Sequence, residues 1–194
     1  VLSLIMSDFL ELIRTRRSVR RYEARPVPAA LVDQLLEEAI WAPSAHNRQP
    51  WRFVVVADDA TKRQLATAMG ARLRQDLTAD GAPPEVIARD AERSYARITA
   101  APLLILVCLT MENMDAYPDA RRAANEALMA AQSAAMAGQN LLLAAHALGL
   151  GACWLCAPLF CPDVVRETLS LPDDWQPQGL ITIGYPAETK EKTR

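Results

Sequence analysis

The sequence predicts a single domain of mixed helix and strand that contains no Rossmann unit. Its 194 residues suit one domain, and we assign residues 1–194 to it. Four segments read as strands, and they alternate only loosely with longer helical patterns. The sequence contains no Gly-x-Gly-x-x-Gly, and Gly149-Leu150-Gly151 is better explained as the end of a helix.

Hydrophobic periodicity predicts the individual elements. Helices are expected at residues 6–15, 31–41, 58–70, 85–98, 121–148 and 162–169. Strands are expected at residues 51–57, 102–110, 151–156 and 179–185. The second strand is apolar throughout, which is typical of a strand buried on both faces. Residues 73–85 are charged and broken by glycine and proline, so we assign no element there.

Composition narrows the classes of function. The formal net charge is −2 and the pI is about 5.8, which argues against a nucleic-acid partner. The longest apolar stretch is interrupted by Gln139, Asn140 and His146, so we expect a buried helix and strand there and no membrane span. Residues 1–9 lack the basic start of a signal peptide, and we expect a cytoplasmic protein.

Four cysteines leave two interpretations open. They are Cys108, Cys153, Cys156 and Cys161. Cys153 and Cys156 form a Cys-x-x-Cys pair, which suits a redox pair or a metal site. Zinc usually requires a second pair or nearby histidines, and neither is present at ligand spacing, so we favour small buried hydrophobes and expect no metal.

Two polar segments stand out as candidate binding sites. Arg16-Arg17-Ser18-Val19-Arg20 follows the first helix and offers guanidinium forks that suit a phosphate. A solvated basic helix end explains the same run. Residues 42–51 place Ser, His, Asn, Arg and Gln between prolines, so they either form a stiff hydrogen-bonding loop or a plain polar turn. His46 has no evident acid or nucleophile partner and receives no triad role.

Four motifs in order resemble the FMN-dependent nitroreductase family. They are Arg-Arg-Ser-Val-Arg, Ala-Pro-Ser-Ala-His-Asn-Arg-Gln-Pro-Trp-Arg-Phe, Ala-Leu-Gly-Leu-Gly-Ala-Cys-Trp and Gly-Leu-Ile-Thr-Ile-Gly-Tyr-Pro-Ala-Glu. The resemblance implies an α+β fold in which helices wrap a small, mainly antiparallel sheet. It also implies an intertwined homodimer with two FMN sites at its interface.

The resemblance assigns cofactor contacts position by position. Arg16 resembles the phosphate-binding arginine, with Arg17 beside it; Ser18 matches a flavin-contacting serine, and Arg20 a basic residue near flavin N1 and O2. The loop expected from the second subunit contributes Pro43, Ser44, Ala45, His46, Asn47 and Gln49. Leu155 and Cys156 match backbone groups beside the isoalloxazine, where the family often carries an acidic residue in place of Cys156. Lys192 and Arg194 match a C-terminal Lys-x-Arg that binds phosphate.

The implied chemistry belongs to the flavin, so we assign no catalytic side chain. Hydride would come from NADH, NADPH or a reduced deazaflavin and pass to a small planar acceptor, such as a nitroaromatic, a quinone or a dehydro deazaflavin precursor. Residues 72–98, with Tyr95, are a candidate lid.

A narrower resemblance covers residues 161–185, which look like the C-terminal FMN reductase domain of the bifunctional coenzyme F-420 glutamate ligase. Surface arginines would help to bind an anionic deazaflavin; they are Arg72, Arg74, Arg89, Arg93, Arg97, Arg121 and Arg122. A general nitro or quinone reductase remains an equal alternative. A further alternative is a non-catalytic flavin or deazaflavin binder that partners a separate ligase. A weaker one is a flavin-fragmenting or dehalogenating member, whose expected lid insertion is not evident.

Overall fold

The computed structural model describes the backbone of residues 2–188 and the side chains of residues 8–188. Its helices are α1 (Leu2–Thr15), α2 (Ala29–Ile40), α3 (Asp59–Ala79), α4 (Pro84–Thr99), α5 (Ala120–Ala147) and α6 (Pro162–Leu169). Its strands are β1 (Trp51–Val56), β2 (Leu103–Leu109), β3 (Gly151–Leu155) and β4 (Gln176–Gly184). Among these described residues, no helix is both long enough and apolar enough to cross a membrane.

The four strands form one sheet in the order β1-β2-β4-β3, and every neighbouring pair is antiparallel. This confirms the α+β fold with a small antiparallel sheet wrapped by helices. Every residue of β2 is buried, as its apolar sequence predicts. The strand supplies a core on each face: Ile105 packs with α2 and α5, and Leu106 packs with α3 and α6. Because β3 lies at one end of this order, one of its edges is left without a neighbouring strand.

The third helix is longer than the sequence predicts. It continues past Gly70 to Ala79 and ends where Gly81 adopts a left-handed φ of 74°. Gly81 N–H donates to the Thr78 carbonyl at 3.1 Å, and Ala82 N–H donates to the Leu77 carbonyl at 2.9 Å. These two bonds satisfy the last carbonyls of the helix. The prediction of an end near Gly70 was therefore wrong, because a glycine ends a helix only where it supplies this cap.

The end of α5 uses the same geometry and fixes the start of β3. Gly149 has a φ of 73°, and its N–H donates to the His146 carbonyl at 3.1 Å. Leu150 N–H donates to the Ala145 carbonyl at 2.8 Å. Gly149 therefore ends the helix as predicted, whereas Gly151 is already the first residue of β3.

Candidate functional site

The basic segment after α1 runs along the open edge of β3. Ser18 forms an isolated parallel bridge with Ala152, and Val19 N–H donates to the Ala152 carbonyl at 3.1 Å. The Tyr22 hydroxyl holds this segment to the sheet, at 2.6 Å from the Val19 carbonyl and 2.7 Å from Thr182 Oγ1. Burial raises the pKa of Tyr22 well above its ordinary value, so the phenol stays protonated. Sequence reasoning did not single out this anchor.

Arg16 and Arg17 line a cavity of about 290 Å³ where α1, α5 and β3 meet. Arg17 donates to the carbonyls of Arg14 at 2.6 Å and Arg16 at 2.8 Å. Among residues 8–188, nothing forms a hydrogen bond or ion pair with the Arg16 guanidinium. This donor is therefore available to a ligand in the cavity.

His146 also lines this cavity, and its Nε2 lies 2.9 Å from Thr15 Oγ1. The pKa of His146 is lowered, first by burial and then by the charges of Arg16 and Arg17. The imidazole is therefore biased toward its neutral form. The sequence pointed to His146 only as an interruption of an apolar stretch.

A second cavity of about 380 Å³ lies farther along β3. Arg20, Trp154, Leu155 and Cys156 line it on one side, and residues of α3 and α4 line it on the other. The structure thus brings Arg20 together with Leu155 and Cys156 at one cavity. Ala152 and Leu155 lie in different cavities and are separated by about 10 Å along the strand. The two cavities therefore follow one edge of the sheet.

The indole of Trp154 is confined between two glycines. A Cβ added at Gly138 of α5 would overlap the ring at Cζ3, and one added at Gly179 of β4 would overlap it at Cζ2. The absence of these two side chains leaves space for the ring, which forms part of the second cavity. Neither glycine stood out in the sequence.

The loop that precedes β1 adopts an uncommon backbone conformation. His46, Asn47 and Gln49 have φ values of 49°, 54° and 49°, in the left-handed region that non-glycine residues rarely occupy. The Ser44 hydroxyl accepts a hydrogen bond from Gln49 N–H at 3.1 Å. Gln49 Nε2 donates to Asn47 Oδ1 at 3.1 Å. Such backbone strain clusters at binding sites, which favours the binding interpretation of this loop over a plain polar turn.

Ser133 of α5 fastens the loop to the core. Its hydroxyl accepts a hydrogen bond from Ala45 N–H at 3.2 Å and donates to the Met129 carbonyl at 2.7 Å. Arg48, in the same loop, forms an ion pair with Asp115 at 2.6 Å. Sequence reasoning missed Ser133, because a serine in an alanine-rich helix carries no visible signal.

The predicted cofactor residues fall into two separate groups within one chain. None of the residues 43–49 lines either cavity on the β3 edge. The loop is fastened at Ser133, whereas the Arg16 cavity meets α5 at Leu142 and His146, nine and thirteen residues later in the sequence. At 1.5 Å per residue these two residues lie about 14 and 20 Å from Ser133 along the helix axis. Lys192 and Arg194 lie outside the described residues.

The four cysteines are all free, and only Cys156 is exposed. Burial raises the pKa of Cys108 to about 12 and that of Cys161 to about 11, so both thiols are poor nucleophiles. Within the described part of the chain, no group of three or more His, Cys, Asp or Glu residues is arranged to hold a metal ion.

Comparison with known proteins decides the family. The model of the nitroreductase family matches residues 13–185. The chain belongs to the nitroreductase family. A relative from Methanothermobacter thermautotrophicus, described as an NADH dehydrogenase/NAD(P)H nitroreductase, is 33% identical over 93% of this chain and 78% of its own length. An NADH dehydrogenase from Thermus thermophilus is 34% identical over 89% of this chain and 84% of its own. These names mark the relatives of this chain as oxidoreductases.

A solved structure agrees with this assignment. The crystal structure of a nitroreductase from Desulfovibrio desulfuricans in complex with FMN has a TM-score of 0.74 and 33% identity, covering 96% of this chain and 90% of that one. A protein from Bacteroides thetaiotaomicron described as an NADH dehydrogenase/NAD(P)H nitroreductase has a TM-score of 0.70 and 28% identity. The architecture of this chain is thus the one found in an FMN-bound member of the family.

Proposed function

We propose that this member of the nitroreductase family is an FMN-dependent oxidoreductase that passes hydride from NADH or NADPH to a small planar acceptor. The observation that carries the proposal is the pair of cavities along the β3 edge, with Arg16 in one and Arg20 in the other. A ligand with an anionic end and a ring end suits this arrangement, and FMN is such a ligand. The names of the relatives support nicotinamide as the donor.

The donors around Arg16 suit the phosphate of FMN. The cavity lies at the carboxyl ends of α1 and α5, where helix dipoles disfavour an anion. Arg16 and Arg17 bring two positive charges to the cavity against the one negative charge of Glu188, which also lines it, and both arginines offer charge-assisted hydrogen bonds. The guanidinium of Arg16 would therefore contribute most of the attraction for the phosphate.

The second cavity suits the flavin ring. Trp154 and Leu155 give it apolar walls, and Arg20 brings a cation to its edge. Bound FMN would supply the hydride chemistry at its N5. The cation of Arg20, placed near N1 and O2, would favour the anionic reduced form of the ring and so raise its reduction potential. The backbone of Leu155 and Cys156 would border the ring. Because a backbone contact does not depend on the side chain, it would be kept although this chain has Cys156 where the family often carries an acidic residue.

Two copies of the chain would complete each site. Within one subunit, none of the residues 43–49 lines either cavity on the β3 edge. Large apolar side chains are also exposed on three helices: Phe9 on α1, Trp41 at the end of α2 and Leu128 on α5. Trp41 is 77% exposed, which is unusual for tryptophan in a monomer. A homodimer that buries these faces would bring the loop of one subunit to the β3 edge of the other.

The reaction can be tested in two steps with purified protein loaded with FMN. Anaerobic addition of NADH or NADPH should bleach the visible absorption of the flavin. The reduced protein should then regain this absorption when it is mixed with a quinone, a nitroaromatic or the dehydro deazaflavin precursor of coenzyme F-420. Protein that takes up no FMN would refute the proposal. A flavin that no nicotinamide bleaches would instead favour reduction by a deazaflavin or a non-catalytic binder that serves a separate glutamate ligase.

A further inference from the structure

The second cavity, which Cys156 lines, carries an excess of positive charge. A neutral planar substrate would gain nothing from this charge, whereas an anionic one would be attracted by it. Three guanidiniums line it, those of Arg20, Arg93 and Arg97, together with one carboxylate, that of Asp90. Asp90 lies 3.1 Å from Arg93 and 3.3 Å from Arg89, which lies outside the cavity. The carboxylate is therefore shared, and the cavity keeps an excess of positive charge.

Arg97 is the cation in this cavity with the strongest case for binding a ligand. Its side chain is half-buried, and within residues 8–188 no hydrogen bond or ion pair engages its guanidinium. Partial burial reduces the competition from water, so an incoming anion would bind more strongly here than at an exposed arginine. Arg97 lies one helical turn after Arg93, on the same face of α4.

Two other arginines of this region are already paired, which separates them from Arg97. Arg72 forms two hydrogen bonds with Asp163, at 2.6 Å and 3.3 Å. Arg122 is paired with Asp119. Tyr95, considered above as a lid residue, lines a different cleft between α3 and α4. Of the surface arginines that the sequence offered for an anion, Arg93 and Arg97 are the two that line this cavity.

We propose that the cavity selects a planar acceptor that carries a carboxylate or phosphate, with Arg97 as the main anion contact and Arg93 as its support. This rests on the proposed function, since it assigns the cavity to the acceptor of the same flavin. The acceptor would share this cavity with the flavin ring and lie on the side lined by α3 and α4, where Leu73 offers an apolar contact to its ring. Asp90 competes with the anion for Arg93 and so limits the affinity of the cavity for an anionic acceptor.

The test compares 4-nitrobenzoate with its neutral analogue 4-nitrobenzamide. The FMN-loaded protein is reduced with dithionite, and reoxidation by each compound is followed anaerobically, so that the nicotinamide step is not needed. Arg97→Gln should lower the rate constant with 4-nitrobenzoate about tenfold and leave that with 4-nitrobenzamide nearly unchanged, because only one charge-assisted contact is lost. Binding of 4-nitrobenzoate to the oxidised protein, measured by calorimetry, should weaken by a similar factor.

Two further variants make the result specific. Asp90→Asn should strengthen 4-nitrobenzoate binding, since it frees Arg93, and a loss of fold cannot produce such a gain. Arg63→Gln removes the same charge from the exposed start of α3, about 15 Å along the helix from Leu73. It should leave the rate constants of reoxidation by both compounds unchanged. Equal losses with both compounds in Arg97→Gln, or an effect confined to reduction by NADH or NADPH, would overturn the proposal. Protein that binds no FMN would instead refute the proposed function, and calorimetry would still report on the anion site.

Discussion

Replacing Gly138 with alanine should disturb the packing around Trp154 despite improving helix propensity. Alanine is favoured over glycine inside a helix by about 1 kcal/mol. The added Cβ would overlap Cζ3 of the indole and lie 3.0 Å from Cε3, well inside normal carbon contact. The ring cannot retreat freely, because Gly179 confines its other edge. Overpacking of this kind costs about 1–3 kcal/mol, which outweighs the gain in helix propensity. We therefore expect the free energy of unfolding to fall by about 1 kcal/mol.

Gly70→Ala is the matched control. Gly70 also lies inside a helix, and a Cβ added there meets nothing within 4 Å. The free energy of unfolding of this variant should rise by about 1 kcal/mol, so the two substitutions should differ by about 2 kcal/mol in their effect on stability. In a chain of this size that corresponds to about 4–8 °C in melting temperature.

The assay is thermal unfolding of FMN-free protein, with both variants and the wild type at one protein concentration, because ligand and subunit binding shift the apparent stability. The FMN-loaded Gly138→Ala protein should also bind 4-nitrobenzoate more weakly, since Trp154 lines that cavity. Equal stabilisation by the two substitutions would show that the indole does not occupy the space between the two glycines.

The other predictions concern the two groups of site residues. Arg16→Ala should weaken FMN binding at least tenfold, because a charge-assisted contact is lost, whereas Arg14→Ala should bind FMN normally in the same equilibrium titration. Arg20→Ala should keep FMN but make its reduction potential more negative; an unchanged potential would remove that role. His146 has a lowered pKa in the folded protein, so its contribution to stability is present above pH ~6.5 and is lost as the pH falls below that value. The melting temperature of FMN-free protein should therefore fall on acidification, and less so in His146→Asn. Ser133→Ala should speed hydrogen exchange at the Ala45 amide, and unchanged exchange would show that the hydroxyl does not hold the loop.

Much of the fold was predictable because the strands carry strong local signals. The apolar run of residues 102–110 predicts β2 to within one residue at each end. The end of α3 was not predictable in the same way. Gly70 and Gly81 look alike in sequence, and only the bonds made by Gly81 and Ala82 identify the cap. The strand order depends on contacts between distant segments and was not predicted; the resemblance implied only a small, mainly antiparallel sheet.

The candidate site was visible in part. The run from Arg16 to Arg20 predicts an anion site because guanidiniums are recognisable by type. The left-handed conformation at His46 was not predictable, because no glycine marks it and the bonds of Ser44 and Ser133 that hold the loop join residues whose pairing the sequence does not reveal. The role of Arg97 was hidden among similar helix arginines until their acidic partners were placed.

The measurement that most directly tests the account is FMN binding by mixed dimers. One subunit would carry Arg16→Ala, and the other would carry Asn47→Gly and Gln49→Gly, which remove the loop side chains but keep its left-handed backbone. If each site is built from two subunits, each homodimer binds FMN poorly, and the mixed dimer recovers one intact site of two. If each site lies within one chain, every site in the mixed dimer carries a defect and no binding is recovered. Full FMN binding by the loop variant alone would equally contradict a site that uses residues 43–49.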